Sequence, residues 1–344
     1  MKKRDPKIDI LRGFAAVIVV AGHTLQQFDG AENNIIFNII FSVQMPLFMM
    51  ISGYVHVFSG SLSTINELAE YIRKRMLTLL LPWLSWSVIA YLLLCRDPVF
   101  SYIRYAAYKM EVAFWFLFSL WSIEMIYSVS RFLSGKIFYK VKRNILVNLI
   151  FYGVGCLVLL FIGLWQGITF MAIKYTLYYS IFFWFGIFAG KYRNSGLWDN
   201  SARIREIVFA LNIILYAVLI AHFNIIRMPD SPLNIVIRAM ISISACWIAL
   251  EIIDRIDLKD NIAAAFFQWV GTQSLELYVV HYFVVRLLDT SGYSVTIVDG
   301  FGFAIVYFVI VILISFAVIW ILKKSRILSL VLFGKKLPVY QTGK

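Results

Sequence analysis

The sequence predicts an all-α, polytopic membrane protein, a helical bundle of about ten transmembrane helices, and three features carry that expectation. The 344-residue chain is 61% hydrophobic, with a mean hydropathy of +0.80. Only 15% of its residues are charged, against roughly a quarter in soluble globular domains. Its apolar residues are gathered into stretches of about 20, the length an α-helix needs to cross a hydrocarbon core.

Ten such stretches follow one another, near 9–28, 34–58, 77–95, 112–130, 145–163, 170–190, 207–223, 233–251, 268–288 and 302–322. The first follows Met1-Lys2-Lys3-Arg4 and shows no small-residue cleavage site, so it is expected to be structure and not a cleaved signal. The second holds Pro46 and Gly53 in "QMPLFMMISGYVHVF", a pattern that predicts a kinked or interrupted helix. The seventh is short.

Lys and Arg sort onto alternate connections, as cytoplasmic loops require. Segments assigned inside carry Lys2, Lys3, Arg4 and Lys7, then Arg73, Lys74 and Arg75, then the basic residues of 131–143, 191–205, 255–259 and 323–344. Outer loops carry only Arg96, Arg104, Lys109, Lys174 and Arg227. Both termini are therefore expected in the cytoplasm. The net charge of +13 follows from this asymmetry and from attraction to anionic lipid heads. No basic run is interleaved with aromatics, so nucleic acid is not an expected partner. Cys95, Cys156 and Cys246 show no CxxC spacing and are expected to be small apolar helix residues, not a disulfide framework or a metal site. No connection exceeds about 20 residues and no internal repeat is found, so one integral domain over 1–344 is expected.

The first span, "KIDILRGFAAVIVVAGHT", carries an arginine and a histidine that hydrocarbon should reject. Eleven residues make about three helical turns, so Arg12 and His23 share a face, roughly 16 Å apart along the axis. Asp9, Ala16 and Val19 lie on the same stripe. In a structural reading, Arg12 snorkels or pairs with Asp9, and His23 bonds to a neighbouring helix. In a functional reading, the stripe lines a cavity open to the cytoplasm: Arg12 near its mouth holds an anion, and a neutral His23 accepts a proton near pH 7.

Four stretches resemble the membrane acyltransferase-3 family. "IDILRGFAAVIVVAGHT" matches its Arg, ten residues, His signature. "MPLFMMISGY" (45–54) is similar to its Ser-Gly stretch on helix two, "FWFL" (114–117) to its Trp-centred motif, and "VGTQSLELYVVHYF" (270–283) to its late Gly, Ser-Leu, Tyr, His stretch. One departure stands in "RKRMLTLLLP", where Thr78 replaces the second arginine of an Arg-x-x-Arg run that begins at Arg75.

The resemblance implies transfer of an acyl group, commonly acetyl from acetyl-CoA, to a sugar hydroxyl of an envelope polysaccharide or lipid-linked glycan, by a multi-pass protein of a bacterial plasma membrane. It makes His23 the general base. It gives Arg12, with Arg73, Lys74 and Arg75, the coenzyme A phosphates. Asp9, Ser52, Trp115, Ser274 and His281 become cavity residues, and no permanently bound cofactor or metal is implied. Ser52 beside Gly53 also suits plain helix packing, and His281 suits a structural role equally well. Ser274 and His281 are two turns apart on one face, with Glu276 pointing elsewhere. Glu124 and Arg238 are charges within spans that could pair with each other, while His56 and His222 are expected at the membrane interfaces. Some of the 29 Phe, 19 Tyr and 10 Trp could stack on an acceptor sugar. A transporter or flippase for a lipid-linked sugar is the alternative reading, against which the lack of an internal repeat counts. A sensor or scaffold is a third, disfavoured by the presence of both Arg12 and His23.

Overall fold

The computed structural model describes residues 5–60, 62–94, 98–108, 114–137, 145–193, 202–259, 261–288 and 301–335, and every regular element among them is helical. Cys95 and the basic residues Lys2, Lys3, Arg4, Arg96 and Lys109 lie outside the described residues. In chain order the helices are α1 (Pro6–Leu25), α2 (Ile35–His56), α3 (Ile65–Arg75), α4 (Leu81–Leu94), α5 (Val99–Tyr108), α6 (Trp115–Ile137) and α7 (Ile145–Gln166). There follow α8 (Ile173–Arg193), α9 (Ala202–His222), α10 (Pro232–Arg255), α11 (Ile262–Thr272), α12 (Ser274–Leu287), α13 (Phe301–Lys323) and α14 (Arg326–Phe333).

Eight helical runs among the described residues are long and apolar enough to cross a membrane: α1, α2, the α3–α4 run, α7, α8 with its preceding turn, α9, α10 and α13. The other two stretches expected from the sequence take different forms. The one near 112–130 is α6, a full-length helix made more polar by Glu124, Arg131 and a series of serines. The one near 268–288 is broken at Gln273 into α11 and α12. α3 joins α4 through a wide helical turn over Met76–Leu80, where Thr78 Oγ1 donates to the Lys74 carbonyl.

The helix starts are locally encoded. The Asp5 side chain accepts from the Lys7 backbone N–H at 3.0 Å with Pro6 in the first turn, so α1 begins three residues before the apolar run. Asn34, Ser231 and Asn261 cap α2, α10 and α11 in the same way, satisfying N–H groups that a helix start leaves open. α2 stays helical through Pro46, so of the two forms expected there, kinked or interrupted, the helix is not interrupted. Neighbouring helices hold the backbone at such a proline.

The chain divides into two compact units, Met1–Phe58 with Ile181–Trp320, and Ser59–Ser180 with Ile321–Lys344. In the first, α1 packs against α2, α10, α11 and α12. Its Ala15, Ala16, Val19 and Val20 are almost fully buried, so its polar residues meet protein. α9, by contrast, leaves Leu211, Ile214 and Val218 exposed, a surface that suits lipid tails and not water.

Glycines set the closest crossings of this unit. A Cβ on Gly13 of α1 would lie 1.8 Å from the Phe267 carbonyl oxygen, and one on Gly271 of α11 would lie 1.8 Å from the Asp9 carbonyl oxygen. Gly53 of α2 and Gly186 of α8 are wedged likewise, 1.9 Å from the Phe183 and Met50 carbonyl oxygens. Such backbone contact is how small residues bring membrane helices together.

Ion pairs of the first unit join segments of like assignment. Asp254 meets Lys7 at 3.4 Å, Arg205 at 3.4 Å, and Arg193. Glu251 meets Arg205 at 2.9 Å, and Arg255. All of these cations were placed inside by the charge pattern. Glu32 and Arg227, from two outer loops, pair at 3.2 Å.

Candidate functional site

The α1 crossing at Gly13 and Gly271 puts α11 and α12 alongside α1 in parallel, and the register is legible from two points. His23 lies ten residues beyond Gly13, and His281 ten beyond Gly271. The His23 and His281 rings meet with centroids 5.2 Å apart and planes tilted by 36°. Two sequence motifs some 260 residues apart thus lie together.

Each imidazole is held by its Nδ1. His23 Nδ1 lies 2.9 Å from Gln26 Oε1. With the amide oxygen as acceptor, Nδ1 carries the hydrogen and Nε2 keeps the lone pair. His281 Nδ1 lies 2.7 Å from the Leu277 carbonyl oxygen, which can only accept, so here too the hydrogen is on Nδ1. His281 is buried, and its Nε2 has no hydrogen-bond partner; His23 is half-buried. A third polar group sits close by: Gln44 of α2 packs on Gly22, where a Cβ would come within 2.6 Å of its Oε1. That oxygen is buried and also without a hydrogen bond.

Arg12 stands one helical turn from Asp9, their side chains 3.5 Å apart, with Asp9 buried and Arg12 partly exposed. The structure thus contains the local pair that the sequence allowed. Ser274 opens α12 and is half-buried. Ser52 Oγ donates to the Phe48 carbonyl at 2.9 Å, and its neighbour Gly53 is the α2–α8 contact, so this motif is engaged in helix packing. Glu276 is fully buried on α12.

The remaining expected site residues belong to the second unit. Arg75 meets Glu124 at 2.9 Å and donates from Nε to Tyr71 Oη at 3.1 Å, while Arg73 and Lys74 are exposed on α3. Trp115 stacks on Tyr175 and Tyr179, with centroids 4.4 and 5.1 Å away, in a cluster with Trp83 and Phe118.

One expectation is corrected. Glu124 pairs with Arg75 and not with Arg238, because the turn at 76–80 lays the end of α3 against α6; Arg238 pairs with Asp230 at 2.8 Å. His56, the last residue of α2, is buried in protein, its ring 5.3 Å from that of Phe183, because α2 and α8 approach so closely. His222 ends α9 and is exposed, as expected of a span end.

The Arg75–Glu124 pair is testable by itself. Arg75→Ala removes the cation beside a carboxyl that is only 3% exposed, and a loss of up to about 3 kcal/mol is expected from thermal unfolding in detergent. Adding Glu124→Gln should recover most of that loss, since the buried charge is the costly part. Equal destabilisation by the single and double variants would refute this account.

Sequence reasoning passed over Gln26 and Gln44. Gln26 is three residues from His23, a spacing at which helical side chains meet, so it could have been found. Gln44 belongs to another helix, and nothing local marks it.

Membrane-length apolar helices, with one imidazole on α1 meeting another on the shorter α12, define a polytopic membrane protein with a polar site among its helices. The family is shown directly: the acyltransferase-3 model, described as an acyltransferase domain, matches residues 5–323, and the chain belongs to this acyltransferase family. It is also 33% identical over 95 residues to nodulation protein NolL of Mesorhizobium japonicum, a match covering 26% of this chain and 25% of that protein. The matched stretch thus spans about a quarter of that relative's length. No solved structure matches.

Proposed function

We propose that the chain is an integral-membrane O-acyltransferase that moves acetyl from acetyl-CoA to a sugar hydroxyl of an envelope polysaccharide or lipid-linked glycan. The observation that carries the reading is the open Nε2 of His23, oriented through Nδ1 by Gln26. An alcohol is a weak nucleophile at neutral pH and gains from a positioned base. In the reading, His23 Nε2 takes the hydroxyl proton as the oxygen attacks the thioester carbonyl. The C–S bond then breaks, and the imidazolium returns that proton to the departing thiolate. Arg12 supplies positive charge on the same face of α1, which suits an anion such as a coenzyme A phosphate. The family match and the site geometry support this reading, and a bacterial plasma membrane is its setting.

The test is radiolabelled acetyl-CoA incubated with membranes and envelope glycan. Label should enter the glycan with the wild type and with Leu215→Ala on the exposed face of α9, and should be lost with His23→Ala. Movement of lipid-linked sugar across the membrane with no acetyl incorporation would overturn the proposal in favour of a transporter. Gln26→Leu takes away the Nδ1 acceptor and frees the ring to turn or change tautomer, so kcat should fall roughly tenfold while Gln26→Glu, which still accepts, falls less. Identical kinetics for both variants would show that Gln26 does not orient the base.

A further inference from the structure

The two imidazoles restrict what can bind beside them. Because the Leu277 carbonyl takes the Nδ1 hydrogen, His281 Nε2 can only accept, and it is buried without a hydrogen-bond partner. Buried polar atoms ordinarily have partners, so an orphan of this kind calls for explanation. His23 presents the same chemistry, with Nδ1 engaged and the Nε2 lone pair open. Two acceptors therefore sit on adjacent rings whose centroids are 5.2 Å apart. One hydroxyl carries one hydrogen and satisfies one of them. Two hydroxyls on neighbouring carbons carry two, one for each ring.

Resting on the acyltransferase reading above, we propose that the His23–His281 pair binds a vicinal diol, so that the acceptor is a sugar with adjacent free hydroxyls. The hydroxyl to be acylated gives its hydrogen to His23 Nε2, and its neighbour donates to His281 Nε2. The first oxygen forms the new C–O bond as the C–S bond breaks, its proton passes through His23 to the thiolate, and the neighbouring hydroxyl keeps its hydrogen. His281 thus fixes which acceptors are used and in what orientation, without taking a proton itself. The same pairing explains why a second histidine is buried at the level of the first, where an apolar residue would pack without leaving an orphan atom.

The experiment uses full-length protein in native membranes, labelled acetyl-CoA, and envelope glycan from cells lacking the protein. Periodate cleaves the carbon–carbon bond between two carbons that each bear a free hydroxyl. Glycan treated with periodate and then borohydride should take no label, and untreated glycan acetylated by the protein should resist periodate at the labelled residues. His281→Leu should raise the KM for glycan roughly tenfold, with the KM for acetyl-CoA unchanged, the loss expected for one hydrogen bond. Should that variant not fold, the periodate results on the wild type decide alone. Label on a hydroxyl with no hydroxyl neighbour, or undiminished labelling of pretreated glycan, overturns the diol assignment and leaves the acyltransferase standing. No label in either glycan removes the acyltransferase reading itself.

Discussion

His23→Gln should lower kcat by about 10²–10⁴-fold, the range removed when a positioned general base is lost. Glutamine keeps polarity and approximate length, so the neighbouring helices see little change, but its amide has no basic nitrogen. His23 is half-buried near the end of α1, its ring against that of His281. The variant should therefore unfold within a few degrees of the wild type in the same detergent, and loss of transfer can be read as loss of chemistry. Removal of a group that acts in the transition state lowers kcat and kcat/KM together and leaves KM nearly unchanged. That separates His23 from His281, for which the diol assignment expects the change in the acceptor KM. If folded His23→Gln retained more than about a tenth of the wild-type kcat, the proton would have to go to another group.

The legible parts of this molecule are those set by local periodicity. The stripe from Asp9 to His23 follows from helix geometry alone, and the structure keeps it on one helix with the Asp9–Arg12 contact in place. The sorting of Lys and Arg anticipates the ion pairs, because Lys7, Arg193 and Arg205 all converge on Asp254. Short helices in the connections were not expected, although α3 begins with a capping box in which Thr64 and Glu67 satisfy each other's backbone N–H groups, a spacing visible in the sequence. α5 and α14 carry weaker signals. The nearness of His23 and His281 was out of reach for another reason: it depends on the register between two helices remote in sequence. That register is set by backbone contact at two glycines, and a glycine within a span does not announce its partner.

The second large effect is expected at that contact. Gly271→Ala and Gly13→Ala each add a Cβ that would stand 1.8 Å from a carbonyl oxygen of the opposite helix. The obstacle is backbone, so no rotamer change relieves it and the helices must move apart. Overpacking usually costs about 1–3 kcal/mol and more where nothing can yield, so a loss of at least about 3 kcal/mol is expected for each, read as a lower unfolding midpoint in detergent. The displaced α11 carries α12 with it, and acyl transfer should fall even under conditions where the variant remains folded, because the His23–His281 approach follows from the crossing. Combining the two should cost less than the sum, since the first substitution already opens the space that the second needs. Gly153→Ala supplies the contrast: nothing lies within 4 Å of a Cβ there, and helix propensity predicts a gain of up to about 1 kcal/mol. If Gly271→Ala matched Gly153→Ala in both stability and transfer, the close crossing of α1 and α11 would not be what holds the two imidazoles together.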